Sequence, residues 1–372
     1  MPTHSKIKLL ITARDPATAL SFQILIPQLA ADSDFDIQVL AQSPASELLS
    51  AHYSIRVFDA ESSIDTQINK FSEFCDVFQP DAVLTGISGP DTGVDEVALI
   101  WAERHGVTSY ALQSYWGDIN QSVKALPNTA FVLDQQAVEL THKRYPTIRC
   151  VPIGSIKHAE FEGFDALASR HVLRPGLVGD GQVLLGFYGQ PLEDNPGYIK
   201  TLERLAEQLQ VWSKPFKVMY RPHPKEPEAL RCKTFDLLQQ AVGERVFYDP
   251  DLELKQSLSV CDLVVSAFST CGFDALYLNE MAARAFSSSV YLWFESELIE
   301  WWQRYNQTKN NPLLDTGLVL CADKHTEILT VFERGLDGAI QNAIRDKAHQ
   351  YLPRPEIGVK TIIETLKTDL KG

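Results

Sequence analysis

Positive charge is scarce in this 372-residue chain: 34 Lys and Arg stand against 48 Asp and Glu, a net of −14 with histidine neutral. Broad nucleic-acid binding needs cations to neutralise phosphates, so this balance argues against it, while a small basic pocket inside an acidic shell is still allowed. Long apolar runs are missing too. None approaches the roughly 18 residues of a membrane-spanning helix. The opening Ile7–Ile11 is too short for a signal-peptide core, has no small-residue cleavage site after it, and reads as a first buried strand. The six cysteines, Cys75, Cys150, Cys232, Cys261, Cys271 and Cys321, are scattered and form no C-x-x-C pair. A disulfide framework and a structural zinc site are therefore not expected, and a reduced cytoplasmic setting is. There are no repeats and no low-complexity segments. The absence of G-x-G-x-x-G, of a Walker A loop and of G-x-S-x-G disfavours a dehydrogenase, a P-loop enzyme and a serine hydrolase. No metal-ligand cluster is evident, and His142, His158 and His171 read as surface or core residues, so no metal and no cofactor are expected.

What is present is a full core: 45% of residues are hydrophobic and 22% charged, the balance of a globular protein. The length suggests two domains. Short apolar runs alternate with amphipathic segments, beginning with a strand at 7–12, a helix at 17–30 and a strand at 36–40. This alternation predicts parallel sheets covered by helices. It predicts a first Rossmann-like domain over 1–161 and, after a Gly- and Pro-rich stretch at 162–182 that reads as a linker, a second over 183–335. The second is expected to include a strand at 283–286. Helices over 336–372, broken at Pro353 and Pro355, are expected to cross back onto the first domain. Two doubly wound halves of this kind would face a cleft with their strand C-terminal ends.

Four stretches carry candidate chemistry. Tyr220-Arg221-Pro222-His223-Pro224-Lys225-Glu226 follows a strand and precedes a helix. Its prolines fix the backbone, and Arg221, His223 and Lys225 would place three donors where a phosphate or carboxylate can bind; the plain alternative is a Pro-rich strand exit with solvated charges. Ser266 to Ala275 puts Ser266, Ser269 and Thr270 at a helix start, suited to anion binding or to ordinary capping. Thr85 to Glu96 is a Gly-rich turn containing Ser88 and ending in Asp95 and Glu96. These carboxylates fit either a partly desolvated general base facing the cleft or simple complementarity to a helix dipole. Arg14 and Asp15 follow the first strand, and Gln113 to Asn120 mixes Tyr115 and Trp116 with Asp118, as a sugar site or a packed loop would. Gly189 and Gln190 open the second half, where glycine allows close approach of a nucleotide. Aromatics at Tyr291 to Phe294 and at Trp301-Trp302 read either as core or as a patch facing an acceptor or a membrane surface.

Two Rossmann-like halves with a returning helix resemble the GT-B fold of glycosyltransferases. Arg221-Pro222-His223-Pro224 resembles the His-Pro motif of bacterial sialyltransferases, polysialyltransferases, Kdo transferases and CDP-glycerol polymerases, and Ser266 with Ser269-Thr270 resembles their paired-serine motif. The resemblance implies a metal-independent inverting glycosyltransferase of polysaccharide biosynthesis. Its donor would be a CMP-activated acidic sugar and its acceptor a glycan, a lipid-linked molecule or a protein. His223 would stabilise the leaving phosphate, Ser269 and Thr270 would hold donor oxygens, and Asp95-Glu96 would stand in for the family's acidic pair, although Val97 follows where the family has Gly. The non-hydrolysing UDP-N-acetylglucosamine 2-epimerases share the fold and size. Here their Gly-Thr-Arg-Pro-Glu opening is only echoed by Ile11 to Pro16, which ranks an epimerase second. A non-catalytic nucleotide-binding subunit is the third reading.

Overall fold

The first strand, β1 (Ile7–Ala13), has Leu9, Leu10, Ile11 and Ala13 wholly inaccessible. A strand that is apolar on both faces belongs in a parallel sheet covered by helices on both sides. The computed structural model has that arrangement. It describes residues 6–59, 63–89, 91–120, 122–306 and 308–371; the first five residues, and Pro90 of the Gly-rich turn, lie outside them. The chain forms two units, one running through Glu160 and resuming at Leu352, the other spanning Phe161–Tyr351.

The first unit holds β1, β2 (Phe35–Ala41), β3 (Arg56–Val57), β4 (Ala82–Thr85), β5 (Thr108–Leu112), β6 (Thr129–Val132) and β7 (Arg149–Pro152). All are parallel, in the order β3-β2-β1-β4-β5-β6-β7. The register sets Ile11 between Val39 and Leu84. One face is covered by the helix Pro16–Ala31 through Phe22, Leu25 and Leu29. The other is covered by the helices Ile64–Phe78 and Val94–His105 through Phe71, Val97 and Trp101. The final helix, Pro355–Lys371, inserts Val359, Ile362 and Leu366 beside Ile7, Leu25 and Tyr110. Ion pairs of Arg149 with Asp369 (2.9 Å) and of Lys367 with Asp32 (2.6 Å) fix its end.

Only this last helix returns. The preceding helix, Gly338–Tyr351, expected to cross back with it, stays on the second unit. There Arg345 donates to the carbonyls of Asn279 and Ala282, and His349 meets Glu280. The change of partner falls at Leu352, beside Pro353, where the helical pattern breaks.

The second unit holds β8 (Val183–Tyr188), β9 (Phe216–Arg221), β10 (Val246–Tyr248), β11 (Leu263–Ser266), β12 (Ser288–Trp293) and β13 (Leu320–Asp323), parallel in the order β10-β9-β8-β11-β12-β13. The strand expected at 283–286 is instead β12, whose six residues are all buried between β11 and β13. The stretch expected as a linker is part of this unit. Asp165 caps the helix Ala166–Leu173 by accepting from the N–H groups of Leu167 and Ala168. Arg170 and Arg174 from that segment both grip Asp262 at the foot of β11 and donate to the carbonyls of Ser259, Val260, Cys261 and Gln182. Removing one partner of such a half-buried cluster strands the other charge, which is what ties the segment down.

Each sheet reverses its direction of growth once. In the first unit the reversal lies between β1 and β4, and in the second between β8 and β11. The carboxyl ends of strands at such a reversal are where open α/β sheets bind ligands.

Candidate functional site

At the reversal of the first unit, Thr12 lies at the end of β1, next to last in the strand, and Arg14 follows it, and the loop after β4 enters the helix Val94–His105. Asp95 accepts hydrogen bonds from the Thr12 hydroxyl (2.7 Å), the Arg14 N–H (3.2 Å) and the Ser88 hydroxyl (3.0 Å). Glu96 accepts from the Gly93 N–H (2.8 Å) and the Asn120 carboxamide (2.5 Å), with the Arg14 guanidinium 3.7 Å away. Ser88 also accepts from Arg14 Nε (3.0 Å) and lies 3.3 Å from Glu96, so its hydroxyl bridges the two carboxylates. Gly93 makes the cluster sterically feasible: a Cβ there would come within 2.6 Å of Arg14 Cδ and of Gln42 Oε1, which itself accepts from the Val94 N–H.

Asp95 and Glu96 are each about 1% exposed. Burial, and then the charge of Asp95, push Glu96 up to about 7, against the pull of Gly93, Arg14 and Asn120. Burial raises Asp95 as well, opposed by the hydroxyls of Thr12 and Ser88 and by Arg14. Two carboxylates side by side in a dry site resist both being ionised, so the pair binds a proton more readily than ordinary carboxylates, with one guanidinium opposing this. This is more enclosed than the partly desolvated base expected from sequence, because the Asn120 side chain lies across the pair, bonded to the carbonyls of Ser88 and Asp91.

The neighbouring candidates have structural work. Asp15 caps the helix Pro16–Ala31 by accepting from the Ala17 N–H. Trp116 is buried and donates its indole N–H to Asp134 (2.8 Å), with Tyr115 packed edge-on against it. The packed-loop reading therefore holds for Trp116, while Asp118 stays exposed.

At the reversal of the second unit, the loops after β8, β9 and β11 converge. His223 Nδ1 accepts from the Lys225 N–H (3.0 Å), which leaves the imidazole proton on Nε2. Burial, Lys225 and Arg231 all lower its pKa, so the ring is a neutral donor. The backbone of His223 is held by Glu226, a buried residue not singled out in the sequence. Glu226 accepts from the His223 N–H (2.9 Å) and from the Tyr220 hydroxyl (2.5 Å). A Cβ on Gly189 would land on this carboxylate. Gln190 ties β8 to β11 by accepting from the Phe268 N–H (3.0 Å). Ser266 Oγ accepts from the Ser269 N–H (2.9 Å), Ser269 Oγ accepts from the Cys271 N–H (3.3 Å), and Thr270 is exposed with no side-chain capping bond. Arg221 does not join the expected trio of anion donors: it pairs with Asp249 (2.8 Å) and the Leu252 carbonyl (2.7 Å). Lys225 is exposed.

The signals for the residues overlooked were present but ambiguous. Glu226 lies three residues after His223, a turn spacing, and Thr12 closes the first strand. A cavity of about 490 Å³ in the first unit lies at the other end of the strands, against Lys8, Asp81 and Val107, away from these groups. Among the described residues no cluster of His, Cys, Asp or Glu is arranged to hold a metal ion, and no helix is long and apolar enough to cross a membrane.

No protein-family model matches the chain, and no curated protein matches its sequence. Solved structures do match its fold. A UDP-GlcNAc 2-epimerase from Neisseria meningitidis with UDP-GlcNAc bound aligns with a TM-score of 0.64 at 14% identity, covering 97% of this chain and 100% of that one. A glycosyltransferase from Rickettsia africae gives 0.67 at 10% identity over 99% and 100%. MurG from Acinetobacter baumannii gives 0.60 at 14% identity over 97% and 99%. The fold is thus of the GT-B type, and these structural neighbours are sugar-nucleotide enzymes. The narrower likeness to the His-Pro sialyltransferase group rests on its two short motifs alone.

Proposed function

We propose that the protein is an enzyme acting on a nucleoside-diphosphate sugar, UDP-activated in the first instance. The observation that carries this reading is that each unit has hydrogen-bonded ionisable and hydroxyl side chains at its own strand-order reversal, Thr12, Arg14, Ser88, Asp95 and Glu96 in the first and His223, Glu226, Ser266 and Ser269 in the second. On this reading the second unit binds the nucleotide. His223 Nε2–H, Ser269 and Thr270 donate to phosphate oxygens, with Lys225 nearby, and Gly189 lets the backbone come close. Gln190, Ser266 and Glu226 shape the loops, and Arg221 acts through Asp249. The first unit supplies proton transfer through Asp95, Glu96 and Ser88, with Arg14 holding the pair. UDP replaces the CMP donor expected from the motif resemblance because one of the structural neighbours was solved with UDP-GlcNAc.

Epimerisation is the first reading of the reaction. Inverting a carbon requires one proton to leave and another to return, and a carboxyl such as Glu96, raised to about 7, can take one and give one. Transfer to an acceptor, the reading preferred from the sequence, is the second, favoured by the exposed aromatic stack described below. Incubation with UDP-GlcNAc alone in D2O separates them. Epimerisation incorporates deuterium at C2 of the sugar and falls to background in Glu96→Gln. Transfer gives no deuterium, and UDP is released only when an acceptor is added. If no UDP-sugar is bound or turned over, the reading is wrong.

A further inference from the structure

The aromatic residues near 290–305 separate into two groups. Tyr291, Trp293 and Trp302 are core: each is buried, and Trp293 meets Trp302 edge-on. Trp301 and Tyr305 lie one helical turn apart on the helix Ser296–Asn306 and stack face to face, 5.4 Å between centroids and 9° between planes. Trp301 also stacks on Phe268, at 6.2 Å and 24°. Phe268 is the residue whose N–H is held by Gln190, immediately before Ser269. The three rings therefore make a ladder that starts beside the β8/β11 reversal, passes through the half-buried Phe268 and Trp301, and ends at the surface. Its last rung, Tyr305, is 67% exposed.

We propose that this ladder is a binding platform for a neutral carbohydrate chain whose reacting end lies at the β8/β11 edge. The inference rests on reading that edge as a nucleotide-sugar site. An aromatic face is electron-rich and attracts the C–H bonds on the flat side of a sugar ring, and a stack open at one end is extended by such a ring. The charges nearby select against the other occupants of exposed rings. Glu295 and Glu300 flank the ladder on the same segment, with Glu297 paired to Lys200 and Arg304 next to Tyr305, and the chain carries −14 overall, a balance that disfavours the phosphates of nucleic acids and of anionic lipid surfaces. An enzyme that only epimerises a free UDP-sugar has no use for such a platform, so the ladder is the structural argument for transfer.

The test is titration of the protein with cellotetraose, maltotetraose and chitotetraose, followed by tryptophan fluorescence and calorimetry, with UDP titrated in parallel. At least one sugar should bind saturably. Tyr305→Ala should weaken it at least about fivefold, Tyr305→Phe should restore it, and UDP affinity should stay unchanged in both variants. Tyr305 is exposed enough that both should fold with an unaltered melting temperature. Absence of sugar binding at millimolar concentration, unchanged sugar binding by Tyr305→Ala, or partition onto lipid vesicles in place of sugar binding would overturn the proposal. Failure of the wild-type protein to bind UDP would instead count against the nucleotide reading, since sugar binding is measured without nucleotide.

Discussion

At the reversal of the first unit the polar side chains are charged and enclosed. Asp95 and Glu96 share a dry pocket with Arg14, and both lie out of reach of solvent. At the reversal of the second unit a neutral imidazole and hydroxyls come forward instead. His223 is kept uncharged by burial and by Lys225 and Arg231, the buried carboxylate Glu226 serves to hold the His223 backbone, and Arg221 is already paired with Asp249. On the proposed reading the same strand topology carries two kinds of chemistry. The low-dielectric carboxylate pair would serve the reacting bond, and the fixed neutral donors would recognise a ligand without binding every passing anion.

Substitutions can break this division of labour, and the largest effect is expected in the first unit. Glu96→Gln should lower turnover by roughly 10²–10⁴-fold while leaving UDP affinity within a factor of two. A comparable loss of UDP affinity would show that the pair is part of the binding site. In the second unit the effects should be smaller and opposite in kind. His223→Ala removes one donor to a charged group, so UDP affinity should fall roughly 10–100-fold with the fold intact. Unchanged affinity would place the nucleotide elsewhere.

A further effect concerns stability and not function. A carboxyl raised from 4.5 in the unfolded chain to about 7 in the folded one binds more protons when folded. Stability should therefore be fully present below about pH 4.5, fall as pH rises toward 7 and level off above it, by on the order of 3 kcal/mol for this group alone. The melting temperature of Glu96→Gln should lack that part of the slope between pH 5 and 8. An identical slope in both proteins would place the titration on other groups.

The alternation of strands and helices was legible in the sequence because a parallel strand buried on both faces, such as Leu9-Leu10-Ile11, leaves a continuous apolar run. The segment at 162–182 was not. Its composition is that of a linker, and its attachment depends on Arg170 and Arg174 meeting Asp262 roughly ninety residues later. Arg221 was misjudged for the same reason, since Asp249 lies on a different strand exit. β12 was displaced from 283–286 because Ser288 and Ser289 read as polar although both are buried. Within the candidate site, the sequence set His223, Ser269, Asp95 and Glu96 after strands, and the structure has them at the exits of β9, β11 and β4. Glu226 and Asn120 were missed because each acts by holding a neighbour, and only folding reveals what a side chain holds.

The most direct test of the account is the thermal denaturation of the wild-type protein with and without UDP. Binding to the folded state at about a hundred times the dissociation constant adds about 2.7 kcal/mol, which should raise Tm by several degrees, and the increase should shrink in His223→Ala. No increase with UDP at millimolar concentration, or an equal increase in the variant, would contradict the assignment of the β8/β11 edge as the nucleotide site.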